Sequence, residues 1–181
     1  MSLAIGAVAS VLQEIPRSEL TTELVGPLLK RIDRKSLRPY VHFQPARYTR
    51  NLVYRNADFE LLVLCWNEFS TSPIHDHDGQ RCWFVVHSGA MQVVDYTLVE
   101  GGSQPGYALV APEGPAKYLS AGASDFRNEG SQLHSVGAAA GLTAVSIHLY
   151  SRPLDHCMIF NRRTNLCERV ALRYDTGFVA A

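Results

Sequence analysis

Ser72-Pro73-Ile74-His75-Asp76-His77, followed by Cys82-Trp83-Phe84-Val85-Val86-His87-Ser88-Gly89, decides how this 181-residue chain is read. Residues two apart on a strand point to the same face, so the imidazoles of His75 and His77 can reach one metal ion while Asp76 faces away. Two histidines at that spacing are weak evidence alone. Their setting strengthens it, because Ser72-Pro73 reads as a turn and the apolar run from Trp83 to Val86 reads as a strand that ends at Ser88-Gly89. The pair is expected on rigid sheet at one end of a barrel-like layer, as a metal site that still needs a third ligand.

Outward from this stretch the chain divides into a helical start and a long β region. Residues 4–14 and 18–33 read as helices, the second with Leu20, Leu24, Leu28 and Ile32 on one face and Arg31, Arg34 and Lys35 at its C-terminal end. Pro27 falls inside that pattern and is expected to kink or break it. Short strands follow over 50–55, 59–66, 81–87, 90–99, 107–111, 116–121, 131–136, 142–150, 156–161 and 166–173, separated by Gly, Pro and Asn. Such regular spacing predicts a mainly β barrel or jelly roll. No repeat, low-complexity segment or linker interrupts it, so one domain over 1–181 is expected, with residues 1–40 as a helical layer and about 48–175 as the barrel.

Composition narrows the function classes. Seventeen basic and seventeen acidic residues give a formal net charge of +0, without a basic tract, so neither nucleic acid nor a membrane surface is an expected partner. Cys65, Cys82, Cys157 and Cys167 show no paired C-x-x-C spacing, which argues against a zinc knuckle or a disulfide framework and for a cytoplasmic protein. The apolar start Leu3-Ala4-Ile5-Gly6-Ala7-Val8 lacks the basic flank and cleavage site of a secretory signal. A monomer with a small-molecule substrate is the expectation.

The His-x-His pattern, with a polar residue five positions on and Gly seven further, resembles the first motif of the cupin superfamily, a jelly-roll β-barrel. Cupins usually carry a ligating Glu where this chain has Cys82. Of the remaining histidines His42, His87, His134, His148 and His156, His134 fits best as the third ligand, because Ser131-Gln132-Leu133-His134-Ser135-Val136 falls where a second cupin hairpin returns to the first. Three neutral imidazoles would leave Fe(II) its double positive charge and open positions for a thiolate and dioxygen. Further on, Ala144-Val145-Ser146-Ile147-His148-Leu149-Tyr150 alternates strictly, which puts Ser146, His148 and Tyr150 on one face as a hydrogen-bonding relay. In such a relay Ser fixes one imidazole nitrogen and the other nitrogen holds the phenol.

The resemblance then narrows to the cysteine dioxygenase family. It is carried by Arg47-Tyr48-Thr49-Arg50-Asn51-Leu52-Val53, Leu64-Cys65-Trp66, Ile74-His75-Asp76-His77, Cys82, Leu133-His134, Ser146 to Ser151 and Asp155-His156-Cys157, in the family's order and over roughly residues 40–175. By resemblance His75, His77 and His134 bind iron, Arg50 and Tyr48 hold the substrate carboxylate, Leu64 and Trp66 line an apolar wall, and Tyr150 stands beside dioxygen. Mammalian members join the cysteine and tyrosine that match Cys82 and Tyr150 by a thioether bond, and both partners are present here. Asp76 reads as a solvent-facing or supporting group.

The chemistry implied is oxidation of L-cysteine to cysteine sulfinate. A thiol of pKa ~8.5 becomes a thiolate on a cation, and the planar fork of Arg50 selects an acid over a simple thiol. Three positions depart from the family: Arg81 replaces a histidine, Arg152 the first of two prolines, and Leu154 a phenylalanine. A second cation in the pocket would favour mercaptosuccinate, with its two carboxylates. Relatives acting on 3-mercaptopropionate carry Gln for Arg50 and Arg for Cys157, so that acid ranks lower. On an ideal strand Arg81, next to Cys82, points away from the site and reads as a surface or salt-bridge residue. A reading of another class is a cupin that binds or senses a small acid without catalysis.

Overall fold

The computed structural model describes residues 2–102, 104–130 and 132–177. Two α-helices, α1 (Ile5–Gln13) and α2 (Thr22–Lys30), precede eleven strands: β1 (Thr49–Arg55), β2 (Glu60–Trp66), β3 (Ile74–His75), β4 (Cys82–Gly101), β5 (Gly106–Pro112), β6 (Lys117–Ser120), β7 (Ser124–Arg127), β8 (Leu133–Ala138), β9 (Ala144–Tyr150), β10 (His156–Asn161) and β11 (Leu166–Ala171). The strand order β1-β2-β9-β4-β5-β11-β10-β3-β8, with β4 also pairing β6, β7 and β8, closes the jelly-roll barrel that the sequence predicts. Of the strand expected over 131–136, Ser131 lies outside the described residues and β8 begins at Leu133.

β2 and β9 pair antiparallel over their whole length, and neither has a face on solvent. Leu61, Val63, Cys65, Val145, Ile147 and Leu149 pack outward against the helices, while Leu62, Leu64, Trp66 and Tyr150 turn into the barrel. This is why β2 reads as an unbroken apolar run rather than an alternating one. The helices cover the outer face with Ile5, Val8, Ala9 and Leu12 of α1 and Val25, Leu28 and Leu29 of α2, each at helical spacing.

The helical layer differs from the expectation over 18–33. A 3-10 turn at Arg17–Glu19 is followed by Leu20 and Thr21 in non-helical conformations, and α2 starts only at Thr22. Leu24 is exposed, because a stripe of residues spaced by four drifts around a helix of 3.6 residues per turn. α2 also runs through Pro27 without breaking. The bond that Pro27 cannot donate would have gone to the carbonyl of Glu23, and both residues lie on the exposed side of the helix.

The larger correction concerns 81–87 and 90–99, expected as two strands with a turn at Ser88-Gly89. They form one strand of 20 residues, β4. Opposite β9 the register slips between Val86 and Ser88, so His87 is the extra residue of a bulge, and Gly89 follows at φ +75. Cys82, Phe84 and Val86 face inward before the bulge, Met91 and Val93 after it. The bulge thus lets one strand serve both halves of the barrel, first beside β7 and β9 and then beside β8, β6 and β5.

A Cβ at Gly89 would stand 1.9 Å from the carbonyl oxygen of Thr143, on a backbone that L side chains rarely adopt. Gly89→Ala should therefore destabilise the fold by roughly 2–4 kcal/mol, read as a lower urea midpoint at unchanged m-value.

Candidate active site

His75 ends β3, which pairs with β10 on one side and, at His134, with β8 on the other. The expectation that His75 and His77 share a strand is corrected here: the strand stops at His75, and His77 opens a turn. Gln80 N–H donates to the carbonyl of His77 at 2.9 Å, and Asp78 and Gly79 both have positive φ, +49 and +70. What holds His77 in place is Asp76. Its backbone N–H donates to Met158 O at 3.2 Å, and its carboxylate accepts from Met158 N–H at 2.8 Å. Asp76 therefore serves as a brace onto β10.

Register and brace together bring His75, His77 and His134 into one cluster, with nitrogen atoms all within 4.8 Å of one another. Burial pushes all three imidazole pKa values down, and for His77 and His134 the neighbouring imidazoles push further. Each ring is thus neutral and keeps a lone pair. On His75, Nδ1 lies 3.0 Å from the carbonyl of Pro73, which can only accept, so Nδ1 carries the proton and Nε2 the lone pair. His134 Nδ1 is buried with no hydrogen-bond partner. Three converging neutral nitrogen donors without a carboxylate fit a borderline divalent metal such as Fe(II). The other histidines stay out of the cluster: His42 Nε2 meets Pro39 O at 2.8 Å, His87 sits in the bulge, and His156 is exposed on β10.

A cavity of about 230 Å³ opens on this cluster, and Tyr48, Arg50, Leu64, Trp66, His148 and Tyr150 line it. Ser146, 0 % exposed, lies behind them. The polar row of β9 has a defined direction. Trp66 Nε1, which can only donate, is 2.8 Å from Ser146 Oγ, and Ser146 Oγ is 2.8 Å from His148 Nε2. With Trp66 on one lone pair, the hydroxyl proton of Ser146 has His148 Nε2 as its acceptor, so Ser146 donates to Nε2 and the proton of the neutral His148 ring sits on Nδ1. Burial drives the His148 pKa down to about 3, which keeps the ring neutral. The relay departs from expectation at its far end: Nδ1 is 4.0 Å from Cys82 Sγ, while Tyr150 stacks beside the ring at 6.1 Å between centroids. Cys82 and Tyr150 lie directly opposite each other across β4 and β9.

Arg50, on β1, is 6 % exposed and lines the cavity with its guanidinium 5.9 Å from the Tyr150 ring. Tyr48 stacks on Trp66 at 4.5 Å between ring centroids. Cys157 also lines the cavity, and burial pushes its thiol up to about 12, so it remains a neutral thiol. Arg81 and Arg152 do not line the cavity. Arg81 turns to the helical layer, donating to Leu20 O at 2.8 Å and Arg17 O at 3.1 Å, with its guanidinium 5.3 Å from the Trp83 ring.

The family model described as Cysteine dioxygenase type I matches residues 2–163. The chain belongs to the cysteine dioxygenase family. It is 33 % identical over 141 residues to human cysteine dioxygenase type 1, a match covering 77 % of this chain and 68 % of the human one. The rat protein of the same name is 32 % identical over 141 residues with the same coverage, and the zebrafish one 34 % over 131 residues, covering 69 % of this chain and 61 % of that protein. The chain is accordingly an oxygenase of the cysteine dioxygenase type, with a cluster of three histidines that could hold a metal.

Two members of the site escape sequence reasoning. One is the Trp66 N–H, which fixes the direction of the relay; an alternating reading of 144–150 stops at the strand edge. The other is Glu60, buried at 0 % exposure and 3.0 Å from the Arg50 guanidinium. A lone carboxylate heading the run Leu61-Leu62-Val63-Leu64-Cys65-Trp66 was the available signal.

The depressed histidines carry a pH dependence. Near pH ~6.5 the unfolded chain binds protons that the folded chain refuses, so the stability they contribute is present above that pH and lost as pH falls toward the folded values. For His148 alone the loss is about 1.4 kcal/mol per pH unit below ~6.5. Melting of metal-free protein should drop from about pH 7 to about pH 5 more steeply than a single proton gives. A flat profile would show that these imidazoles protonate inside the fold.

Proposed function

We propose that the protein is an Fe(II)-dependent thiol dioxygenase that converts L-cysteine to cysteine sulfinate. The observation that carries this reading is one cavity shared by three neutral imidazoles, a buried guanidinium and a phenol. His75, His77 and His134 would hold the iron, which supplies Lewis acidity for the thiol and the one-electron chemistry that dioxygen requires. The reaction balances without a further reductant: sulfur loses four electrons, dioxygen takes up four, and both oxygen atoms end on sulfur as the sulfinate.

Arg50 and Tyr48 bind the substrate carboxylate, the arginine as a planar donor that keeps its charge. Leu64 and Trp66 close the apolar side and exclude water from the reacting thiol. Tyr150 is held as a neutral phenol, because burial drives its pKa up, and so keeps a proton to donate toward charge that develops on oxygen during transfer. Ser146 and His148 fix the wall beside it. Cys82, opposite Tyr150, supports a thioether to the tyrosine ring; that bond forms with loss of two hydrogens to dioxygen during turnover.

Mercaptosuccinate would be favoured by a second cation in the cavity, and neither Arg81 nor Arg152 lines it. Arg50 and Cys157 stand where relatives acting on 3-mercaptopropionate carry Gln and Arg. Oxygen uptake by Fe(II)-loaded protein with the three thiols side by side should be fastest with L-cysteine, with a product heavier by two oxygen atoms. No uptake with any thiol would sink the proposal. Tyr150→Phe should lower kcat about 10- to 100-fold with little change in KM. Arg50→Ala should raise KM for L-cysteine by at least about tenfold; an unchanged KM removes Arg50 from the substrate.

A further inference from the structure

Arg50 is already engaged by a carboxylate. Its Nη2 donates to Glu60 Oε1 at 3.0 Å and to Leu154 O at 3.5 Å, while its Nε is buried without a partner. Glu60 is held from three sides: by Arg50, by the Tyr174 hydroxyl and by the backbone N–H of Leu154. Arg55 Nη1 donates to the Tyr174 oxygen at 2.7 Å, which leaves the hydroxyl proton of Tyr174 for Glu60. Burial pushes the Glu60 pKa up, against the pull of Arg50 and the two other donors; since a carboxyl surrounded by three donors has no acceptor for a proton of its own, the geometry keeps Glu60 a carboxylate. Arg55 does not neutralise it, because both its Nη atoms reach Asp155, at 2.7 and 2.8 Å.

Among the described residues no other fixed charge lines the cavity. Arg50 is the sole permanently charged side chain among its described lining residues. Arg127 lies deeper, opposite Cys82, in a cluster with Asp95 at 2.7 Å and Asp125 at 2.5 Å; Lys117 also reaches Asp95 at 2.5 Å, so two cations face two carboxylates and balance. At the outer rim Arg47 is paired with Asp175, and Arg173 is exposed to solvent.

We propose that Glu60 is a specificity-determining residue: by cancelling Arg50 it limits the cavity to thiols with one carboxylate and turns away dicarboxylates. The inference rests on the thiol dioxygenase reading above. With three neutral imidazoles, a divalent ion brings two positive charges. A thiolate and one carboxylate bring two negative charges, and the site is balanced. A second carboxylate, as in mercaptosuccinate, leaves an unmet negative charge in a buried cavity, where charge is costly. Without Glu60, Arg50 would supply the missing positive charge. Glu60 thus acts by electrostatic exclusion, while Arg50 still orients a single carboxylate through its unspent donors.

Anaerobic titration calorimetry of the Fe(II)-loaded protein, in which no turnover occurs, tests this with L-cysteine, 3-mercaptopropionate and mercaptosuccinate. Mercaptosuccinate is 3-mercaptopropionate with one added carboxylate, and wild-type protein should bind it more weakly. Glu60→Gln should shift the ratio of the two dissociation constants toward mercaptosuccinate by about tenfold, whereas Glu60→Asp, which keeps the charge, should preserve the wild-type order. Wild-type protein that binds mercaptosuccinate as tightly as 3-mercaptopropionate overturns the proposal, and so does an unchanged ratio in Glu60→Gln that is folded by circular dichroism. If Glu60→Gln does not fold, the wild-type order decides. Failure of all three thiols to bind would instead overturn the thiol dioxygenase reading itself.

Discussion

The site depends first on the double burial of β9. That strand is hydrogen-bonded to β2 on one side and β4 on the other, and both its faces are covered. Register is therefore fixed by packing: a slip of one residue would drive Val145, Ile147 and Leu149 into the cavity and leave Ser146, His148 and Tyr150 against the helices. In the register adopted, Tyr150 stands opposite Cys82 on one neighbour and opposite Glu60 on the other. The helical layer belongs to this constraint. Without α1 and α2 the outward apolar row would face water, and the inward polar row would have no apolar counterpart to hold it in place. Arg81 ties that layer to the start of β4 through the carbonyls of Arg17 and Leu20.

Burial also decides protonation throughout the site. Imidazoles that lose solvation become weaker bases, so His75, His77, His134 and His148 are neutral, and neutral imidazole is the form that ligates metal or accepts a hydrogen bond from Ser146. The same burial keeps the Tyr150 phenol and the Cys82 thiol protonated. Ionised groups survive only in balanced sets, Arg50 with Glu60, and Arg127 and Lys117 with Asp95 and Asp125. A charge brought in by substrate then meets a cavity whose own charges are balanced.

Much of this was legible in the sequence where a local period governs. The alternation over 144–150 gave the correct faces, and the spacing of His75 and His77, with His134 added by family resemblance, named residues that do converge. Elsewhere the deciding contacts lie across the fold. Ser88-Gly89 has the composition of a turn, yet pairing with β9 on one side and β8 on the other keeps the chain extended and absorbs the mismatch as a bulge at His87. The 18–33 helix has the right apolar residues, but a spacing of four cannot stay on one face, and Leu20 is buried from a non-helical position instead. Glu60 and Trp66 sit at the two ends of β2, where only knowledge of what Arg50 and Ser146 face would reveal their partners.

Behind the cavity wall a polar row runs from Trp66 through Ser146 and His148 to Cys82. Trp66 Nε1–H occupies one lone pair of Ser146 Oγ, and the hydroxyl proton of Ser146 has His148 Nε2 as its acceptor, which puts the proton of the neutral His148 ring on Nδ1. That proton faces a thiol, a weak acceptor, at 4.0 Å. The Tyr150 hydroxyl also hydrogen-bonds toward this thiol, so imidazole and phenol meet at one sulfur, and the pairing of β4 with β9, which sets Cys82 directly opposite Tyr150, is what brings them there.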